Sequence, residues 1–142
     1  MSEKVLLVDD EKDFLDIMSE RMQARGMTVK TADSADKAMA MLEKESFDAI
    51  VMDFKMPGMD GIQALKNIKD QKPELQIILL TGYATVEKTV EAMKIGATDL
   101  LEKPADLEAL EARIKRAKTE KMLLVEKQNE EKIKDILQRF GG

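Results

Sequence analysis

Short apolar segments rich in β-branched residues recur along this chain, and their spacing leaves room for one helix between successive segments. The five segments are residues 5–8, 27–31, 49–52, 77–80 and 98–101. Each is too short for a helix of ordinary length, so we predict five buried strands. Strand followed by helix, five times over, predicts an α/β fold in which a doubly wound parallel sheet is covered by helices on both faces.

Between these segments, apolar residues recur at helical spacing, which predicts amphipathic helices. The four sets are Phe14, Ile17, Met18 and Met22, then Ala35, Ala38, Met39 and Leu42, then Ile62, Leu65 and Ile68, then Val86, Val90 and Met93. Residues 105–140 contain neither Gly nor Pro and favour a fifth, extended helix.

Composition excludes several kinds of chemistry. The chain has no cysteine and no histidine, so thiolate metal sites, zinc or haem ligation and histidine acid–base catalysis are absent. Its net charge of −5 comes from interspersed acids and bases, so we expect no direct binding to nucleic acid. The four apolar residues 5–8 are too few for a signal peptide or a membrane span, so we expect a cytoplasmic protein.

Chemically informative residues stand at the carboxyl ends of the predicted strands, where open sheets of this kind bind ligands. Asp9 and Asp10 follow the first strand, Asp53 the third, Thr81 the fourth and Lys103 the fifth. Carboxylates that converge at one sheet edge repel each other unless a hard cation lies among them, and Mg²⁺ is the natural candidate. Mg²⁺ commonly also binds a phosphate, so a phosphate-containing ligand is implied.

These residue types suit transfer of a phosphoryl group to a carboxylate. Asp53 is the expected nucleophile, while Mg²⁺, the Lys103 ammonium and the Thr81 hydroxyl would neutralise or bind the phosphoryl oxygens. Taken singly, the Asp9–Asp10 pair could be a helix N-cap, Asp53 a loop acid, Thr81 a cap of the fourth helix and Lys103 a solvated charge. Capping gives no reason for a lysine at the same edge, so the joint placement favours the functional interpretation.

Four motifs carry a resemblance to a known family: V-D-D at 8–10, M-D-F-K-M-P-G-M-D-G at 52–61, L-T-G-Y at 80–83 and E-K-P at 102–104. Over about residues 3–118 the chain resembles the receiver domains of bacterial two-component response regulators. Residues 81–104 look most like receivers of enhancer-binding activators or of hybrid sensor kinases. The resemblance implies a flavodoxin-like sheet with strand order 2-1-3-4-5.

The resemblance also implies roles for individual residues. Asp53 would be the phosphoacceptor, Asp10 a direct Mg²⁺ ligand, Asp9 an acid acting through metal-bound water, and Lys55 the donor of a backbone carbonyl to the metal. Thr81 and Lys103 would contact the phosphoryl group, and the Lys103–Pro104 bond is often cis in the family. The implied donor is a phosphohistidine on a sensor histidine kinase or a histidine phosphotransfer protein, and the chain would catalyse only its own phosphorylation and dephosphorylation.

Two positions bear on signalling by such a domain. Many receivers carry an aromatic residue where this chain has Leu100, so the rearrangement that accompanies movement of Thr81 would be smaller, and Tyr83 could supply an aromatic signal instead. Lys55 and Tyr83 would flank the phosphate and slow its hydrolysis, giving a long-lived phosphorylated state. We expect a downstream protein target to read the face formed by the fourth helix, fifth strand and fifth helix.

We predict a receiver domain over residues 1–118 and a helical extension over residues 119–142 that continues the fifth helix. Leu107, Leu110, Ile114 and Ala117 can face the domain, whereas Met122, Val125, Asn129, Ile133, Ile136 and Phe140 form an approximate seam beyond it. The seam could form a homodimeric coiled coil with Asn129 setting the register, or the extension could be a solvated helix or signalling linker.

Three other functions fit parts of the pattern. An aspartate-nucleophile phosphohydrolase usually needs a second acid two residues after the nucleophile, where this chain has Lys55. A flavodoxin-like cofactor carrier needs a phosphate-binding loop after the first strand, where Asp9, Asp10 and Glu11 would repel a phosphate. A non-phosphorylated interaction module would have no need of the acidic site.

Overall fold

The computed structural model describes residues 2–56, 59–82, 85–104 and 106–141 of the chain. Strands and helices alternate along these residues as the spacing of apolar segments predicts. The elements are β1 (Lys4–Val8), α1 (Lys12–Ala24), β2 (Thr28–Ala32), α2 (Ala35–Lys44), β3 (Ala49–Asp53), β4 (Lys55–Met56), β5 (Met59–Asp60), α3 (Gly61–Gln71), β6 (Ile77–Thr81), α4 (Val86–Ile95), β7 (Asp99–Glu102) and α5 (Leu107–Phe140).

The main sheet has five parallel strands in the order β2-β1-β3-β6-β7, which is the predicted order 2-1-3-4-5. In the central pairs, Val5 lies opposite Ala49 and Asp53 lies opposite Leu80. The strand order reverses between β1 and β3, so a crevice opens outside their carboxyl ends. The prediction of a doubly wound parallel sheet is confirmed.

Alternate side chains of the central strands pack into two separate apolar layers, one on each face of the sheet. On β3, Ile50 and Met52 belong to the layer covered by α2, α3 and α4, whereas Ala49 and Val51 belong to the layer covered by α1 and α5. All five β3 residues are buried, which explains why this strand reads as a continuous apolar run that ends in an acid.

The predicted strands all shift by one residue at one or both ends, and the starts of the fifth strand and of the last helix move for identifiable reasons. Thr98, predicted as the first residue of the fifth strand, uses its side-chain Oγ1 to accept the Ile77 N–H at 3.0 Å, and β7 begins one residue later. The predicted start of the last helix, Ala105, lies outside the described residues. The helix begins at Leu107, because the Asp106 carboxylate caps it by accepting the Glu108 N–H at 3.3 Å.

The apolar line on α4 does not face the core. Val86 is 83% exposed, and Val90 and Met93 are also exposed, so α4 packs on the domain mainly through the fully buried Ala92. Helical periodicity correctly predicts an amphipathic helix here, but it does not specify whether another part of the same chain covers the apolar line.

The first third of α5 belongs to the domain and the rest extends away from it. Leu110, Ile114 and Ala117 are fully buried, as predicted, and Arg113 forms an ion pair with Asp99 of β7 at 2.5 Å. The Lys121 ammonium donates to the Phe47 carbonyl at 2.6 Å. From Met122 onward every described residue is exposed. The proposed division at residue 118 stays a prediction.

Within the part of the chain that the structure describes, no helix combines the length and the apolar character that a membrane span requires. The cytoplasmic location predicted from the sequence stays a prediction.

Candidate functional site

The carboxyl ends of β1 and β3 bring three acids together. One carboxylate oxygen from each of Asp9, Asp10 and Asp53 lies within 4.8 Å of the other two. Asp9 is completely buried and Asp53 is 8% exposed, whereas Asp10 faces solvent. The acidic cluster expected from the strand ends is therefore present, with one member open to water.

Lys103 reaches into this cluster from the end of β7. Its Nζ donates to Asp9 Oδ2 at 2.7 Å and to Asp53 Oδ2 at 3.3 Å. Its backbone N–H donates to the Thr81 carbonyl at 2.7 Å, which fixes the start of this side chain beside the end of β6. The following peptide bond, Lys103–Pro104, is cis, as the family resemblance implies.

The charge state of Lys103 is set by these contacts. Partial burial alone would lower the pKa of the Lys103 ammonium, but the hydrogen bond that it donates to Asp9 and the negative charges of Asp53 and Asp9 outweigh burial. The pKa of Lys103 is therefore raised above its ordinary value. The ammonium stays charged at neutral pH and partly neutralises the two buried acids.

Asp9 serves a structural and an electrostatic purpose with its two oxygens. Oδ1 accepts the Glu11 N–H at 2.9 Å, which shapes the turn between β1 and α1, and Oδ2 accepts from Lys103. The helix-cap interpretation of this acid is not met, because the N-cap position of α1 is Glu11 and no side chain caps the helix. Its functional interpretation stays a prediction. A completely buried carboxylate requires such partners, because an uncompensated charge at this depth would be strongly destabilising.

Thr81 ends β6 and is buried at the same edge of the sheet. It lies opposite Glu102 in the β6–β7 register, one residue before Lys103. Its neighbour in the chain, Leu80, lies opposite Asp53 in the β3–β6 register. The sheet thus brings Asp53, Thr81 and Lys103 to adjacent strand ends, as the sequence predicts.

The segment after Asp53 folds back tightly on the start of α3. The Phe54 N–H donates to the Leu80 carbonyl at 2.8 Å, and a short ribbon pairs Lys55 with Asp60. A Cβ on Gly61 would lie 2.0 Å from the Phe54 carbonyl oxygen, so only glycine permits this approach. This contact holds the backbone of Phe54, the residue after Asp53, against the start of α3. The Lys55 side chain and Tyr83 lie outside the described residues, so the predictions for them remain untested.

Sequence reasoning assigned Phe14 to the core of α1 and missed its contact with the site. The Lys103 ammonium lies 4.3 Å from the centroid of the Phe14 ring, within the range of a cation–π interaction. A usable signal was present in the sequence: Phe14 lies one helical turn after Asp10, in the first turn of a helix that starts at the site. Its ring gives Lys103 a third neighbour besides the two acids.

Leu100 lies on β7 opposite Leu79 and is half-buried against the layer that contains Ala92 and Ala97. This packing agrees with its interpretation as a core-filling residue. Its proposed part in a conformational switch stays a prediction.

The donor set matches a hard divalent cation. Three carboxylates offer oxygen ligands from one small region, one of them open to solvent, and the chain contains neither the thiolate nor the imidazole ligands that softer metals prefer. The residues present therefore fit a divalent metal site.

The fold and this acidic, lysine-bearing sheet edge define the receiver class of two-component signalling proteins, and comparison with known proteins agrees. Residues 5–115 match the family model described as the response regulator receiver domain. The chain belongs to this family, and it is a receiver domain of two-component systems.

The similar proteins include longer regulators. The chain is 40% identical over 110 residues to the response regulator protein FleR of Pseudomonas aeruginosa, covering 78% of this chain and 23% of FleR. It is 37% identical over 113 residues to the transcriptional regulatory protein FixJ of Bradyrhizobium diazoefficiens, covering 80% of this chain and 55% of FixJ. The chain thus spans well under two thirds of these relatives.

Solved structures of isolated receivers match along nearly their whole length. A response regulator receiver domain protein from Clostridium thermocellum superposes with a TM-score of 0.81 at 32% identity, covering 86% of this chain and 98% of that chain. The family assignment and the fold predicted from the sequence are confirmed. The phosphohydrolase, cofactor-carrier and interaction-module alternatives are not favoured.

Proposed function

We propose that Asp53 is the phosphoacceptor of this receiver and that Lys103 and Thr81 assist the transfer. The observation that carries the proposal is the position of the Lys103 ammonium, which bridges the carboxylates of Asp9 and Asp53 at the switch point of the sheet. A cation that already contacts the nucleophile is suitably placed to neutralise an incoming phosphoryl group.

In the proposed step, a carboxylate oxygen of Asp53 attacks the phosphorus of a phosphohistidine. An O–P bond forms, the N–P bond breaks, and its electron pair leaves with the imidazole of the donor. Lys103 pairs with a phosphoryl oxygen as negative charge moves towards the acceptor, and the Thr81 hydroxyl donates to another. Asp9 keeps Lys103 at the site through its second oxygen.

The divalent metal is proposed to be Mg²⁺. Asp9, Asp10 and Asp53 would hold it together with the backbone carbonyl of Lys55, which directly follows the Phe54 backbone that packs against Gly61. When bound, Mg²⁺ supplies positive charge that offsets the repulsion between the carboxylate and the phosphoryl oxygens.

The proposed partners are those that this chemistry requires. These 142 residues contain no histidine, so the phosphohistidine donor would lie outside them, on a sensor histidine kinase or a histidine phosphotransfer protein. The proposed output surface is the face of α4, β7 and α5, where Val86, Val90 and Met93 leave apolar surface open to a protein target. Catalysis would be limited to phosphorylation and dephosphorylation of the domain itself.

The proposal is tested by incubating the protein with Mg²⁺ and a small acyl phosphate and measuring its intact mass. We expect wild type and Asp70→Asn to gain one phosphoryl group, and Asp53→Asn to gain none. Asp70 is a suitable control because it is exposed on α3, away from the acidic cluster. A wild-type mass that never changes, or an Asp53→Asn mass that does, would refute the assignment.

A further inference from the structure

The part of α5 beyond the domain body carries an apolar stripe with an 11-residue repeat. The α5 stripe consists of Met122, Val125, Asn129, Ile133, Ile136 and Phe140. Each of the first three residues is followed, 11 positions later, by one of the last three. An 11-residue repeat corresponds to about 3.67 residues per turn, so the stripe stays on one side of a nearly straight helix. Such a line suits pairing with a second helix along its length.

The stripe is open in the structure. Its five apolar members are between 37% and 85% exposed, and Phe140 at the far end is the most exposed. A helix that is not paired would gain nothing from keeping these side chains in one line. We therefore expect the stripe to be covered by another helix.

The body of the domain leaves the stripe accessible. The residues that hold α5 to the body, Leu110, Ile114 and Ala117, lie roughly a quarter turn away from the direction of the stripe. The last described hydrogen bond from α5 to the body is the one that Lys121 donates to the Phe47 carbonyl, and beyond it Asp48 of the body lines an open groove beside Met122 and Val125. A second helix can thus approach the stripe from the side without displacing the domain.

The charges beside the stripe identify the partner and its direction. One flank carries the bases Lys121, Lys132 and Arg139, the last of which is ion-paired with Asp135 at 3.2 Å, and the other flank carries the acids Glu126 and Glu130. In a parallel pair of identical helices, the basic flank of each copy faces the acidic flank of the other. In an antiparallel pair, like flanks meet and repel. The flanks therefore favour two parallel copies.

We propose that the α5 stripe is a homodimer surface, occupied by the same stripe of a second copy of this chain in parallel, in-register alignment. Asn129, the polar member of the stripe, would face Asn129 of the second copy and set the register at a cost in affinity. The two domain bodies would lie at the same end of the helix pair, on opposite sides of it.

The arrangement is tested by disulfide cross-linking, because the natural chain contains no cysteine. Single variants Val125→Cys and Ile136→Cys should each form a covalent homodimer under mild oxidation, since parallel pairing brings each position next to itself. Glu131→Cys, on the opposite side of the helix, should not. Cross-links that form only when the Val125→Cys and Ile136→Cys proteins are mixed would show antiparallel pairing and overturn the proposal.

Association itself is measured by sedimentation velocity of the full chain over a range of concentrations. Ile136→Asp should lower the association constant by about tenfold or more, whereas Gln138→Asp, an equal charge change on the opposite side, should leave it within about twofold. Asn129→Ile should raise it. Circular dichroism confirms that each variant keeps its helix. Wild type that remains monomeric throughout, or equal effects of the two Asp variants, would refute the surface.

Discussion

Replacing Lys103 by Met, Asp9 by Asn, and both together measures how strongly the central ion pair stabilises the domain. The two side chains are 17% and 0% exposed, and their atoms are 2.7 Å apart. Hydrogen bonds to charged groups contribute about 1.5–3 kcal/mol, so we expect a coupling free energy of about 2 kcal/mol between the two substitutions.

The two single variants should differ in how much they destabilise the domain. Lys103→Met leaves Asp9 buried and facing Asp53, so it should be the more destabilising change. Asp9→Asn removes the charge attraction from the same contact but also relieves repulsion within the cluster, so part of its cost is offset. The double variant should therefore be less destabilised than the sum of the singles.

The assay is urea unfolding with a chelator present, so that no metal occupies the acids, and with the denaturant slope compared across variants. The matched control is the same cycle at Lys37 and Asp33, a pair of nearly equal length at 2.8 Å whose side chains are 66% and 54% exposed. That coupling should be several-fold smaller, because solvent screens it. A Lys103–Asp9 coupling below about 0.5 kcal/mol, or equal couplings for both pairs, would refute the reasoning.

The site and its surroundings support three further predictions. Gly61→Ala should destabilise the domain by about 1–3 kcal/mol, because its Cβ would clash with the Phe54 carbonyl oxygen. Gly82→Ala, whose added Cβ would meet no described residue within 4 Å, should change the free energy of unfolding by less than about 0.5 kcal/mol, as measured by urea unfolding. Phe14→Leu should slow phosphorylation by a small acyl phosphate by about threefold, because the Phe14 ring contacts the Lys103 ammonium. Phe140→Leu, a change at an exposed ring at the far end of α5, should leave the rate unchanged. The free energy of unfolding, followed against pH with a chelator present, should keep the full contribution of Lys103 below its ordinary pKa of 10.5, because a raised pKa keeps the ammonium charged there, and should lose it only as the pH rises through the folded-state pKa.

The residues at the strand ends were predictable because parallel strands of one sheet all end at the same edge. Once residues 5–8, 49–52 and 77–80 are assigned to one sheet, Asp9, Asp53 and Thr81 must meet at its carboxyl edge, and the structure brings them there. Lys103 comes directly after the fifth strand and joins them for the same reason. Sheet topology alone thus determines most of the candidate site.

Contacts that depend on side-chain direction or on packing between elements could not be predicted in this way. Periodicity places Phe14 on the apolar side of α1, but only the packed structure turns its ring to Lys103. Periodicity likewise groups Val86 with Val90 and Met93, and it cannot distinguish a line that the domain covers from one left to solvent. The tight approach of Gly61 to Phe54 depends on backbone atoms that no side-chain pattern reports.

The hydrogen bond from Lys121 to the Phe47 carbonyl marks the point at which α5 leaves the domain, so a small tilt of the helix there is amplified along its length. From Lys121 the helix runs for 19 residues to Phe140, or about 29 Å at 1.5 Å per residue. A tilt of about 10° at Lys121 would therefore move Phe140 by about 5 Å. A rotation of α5 that barely changes its packing on the domain would therefore displace Phe140 by about the rise of one helical turn.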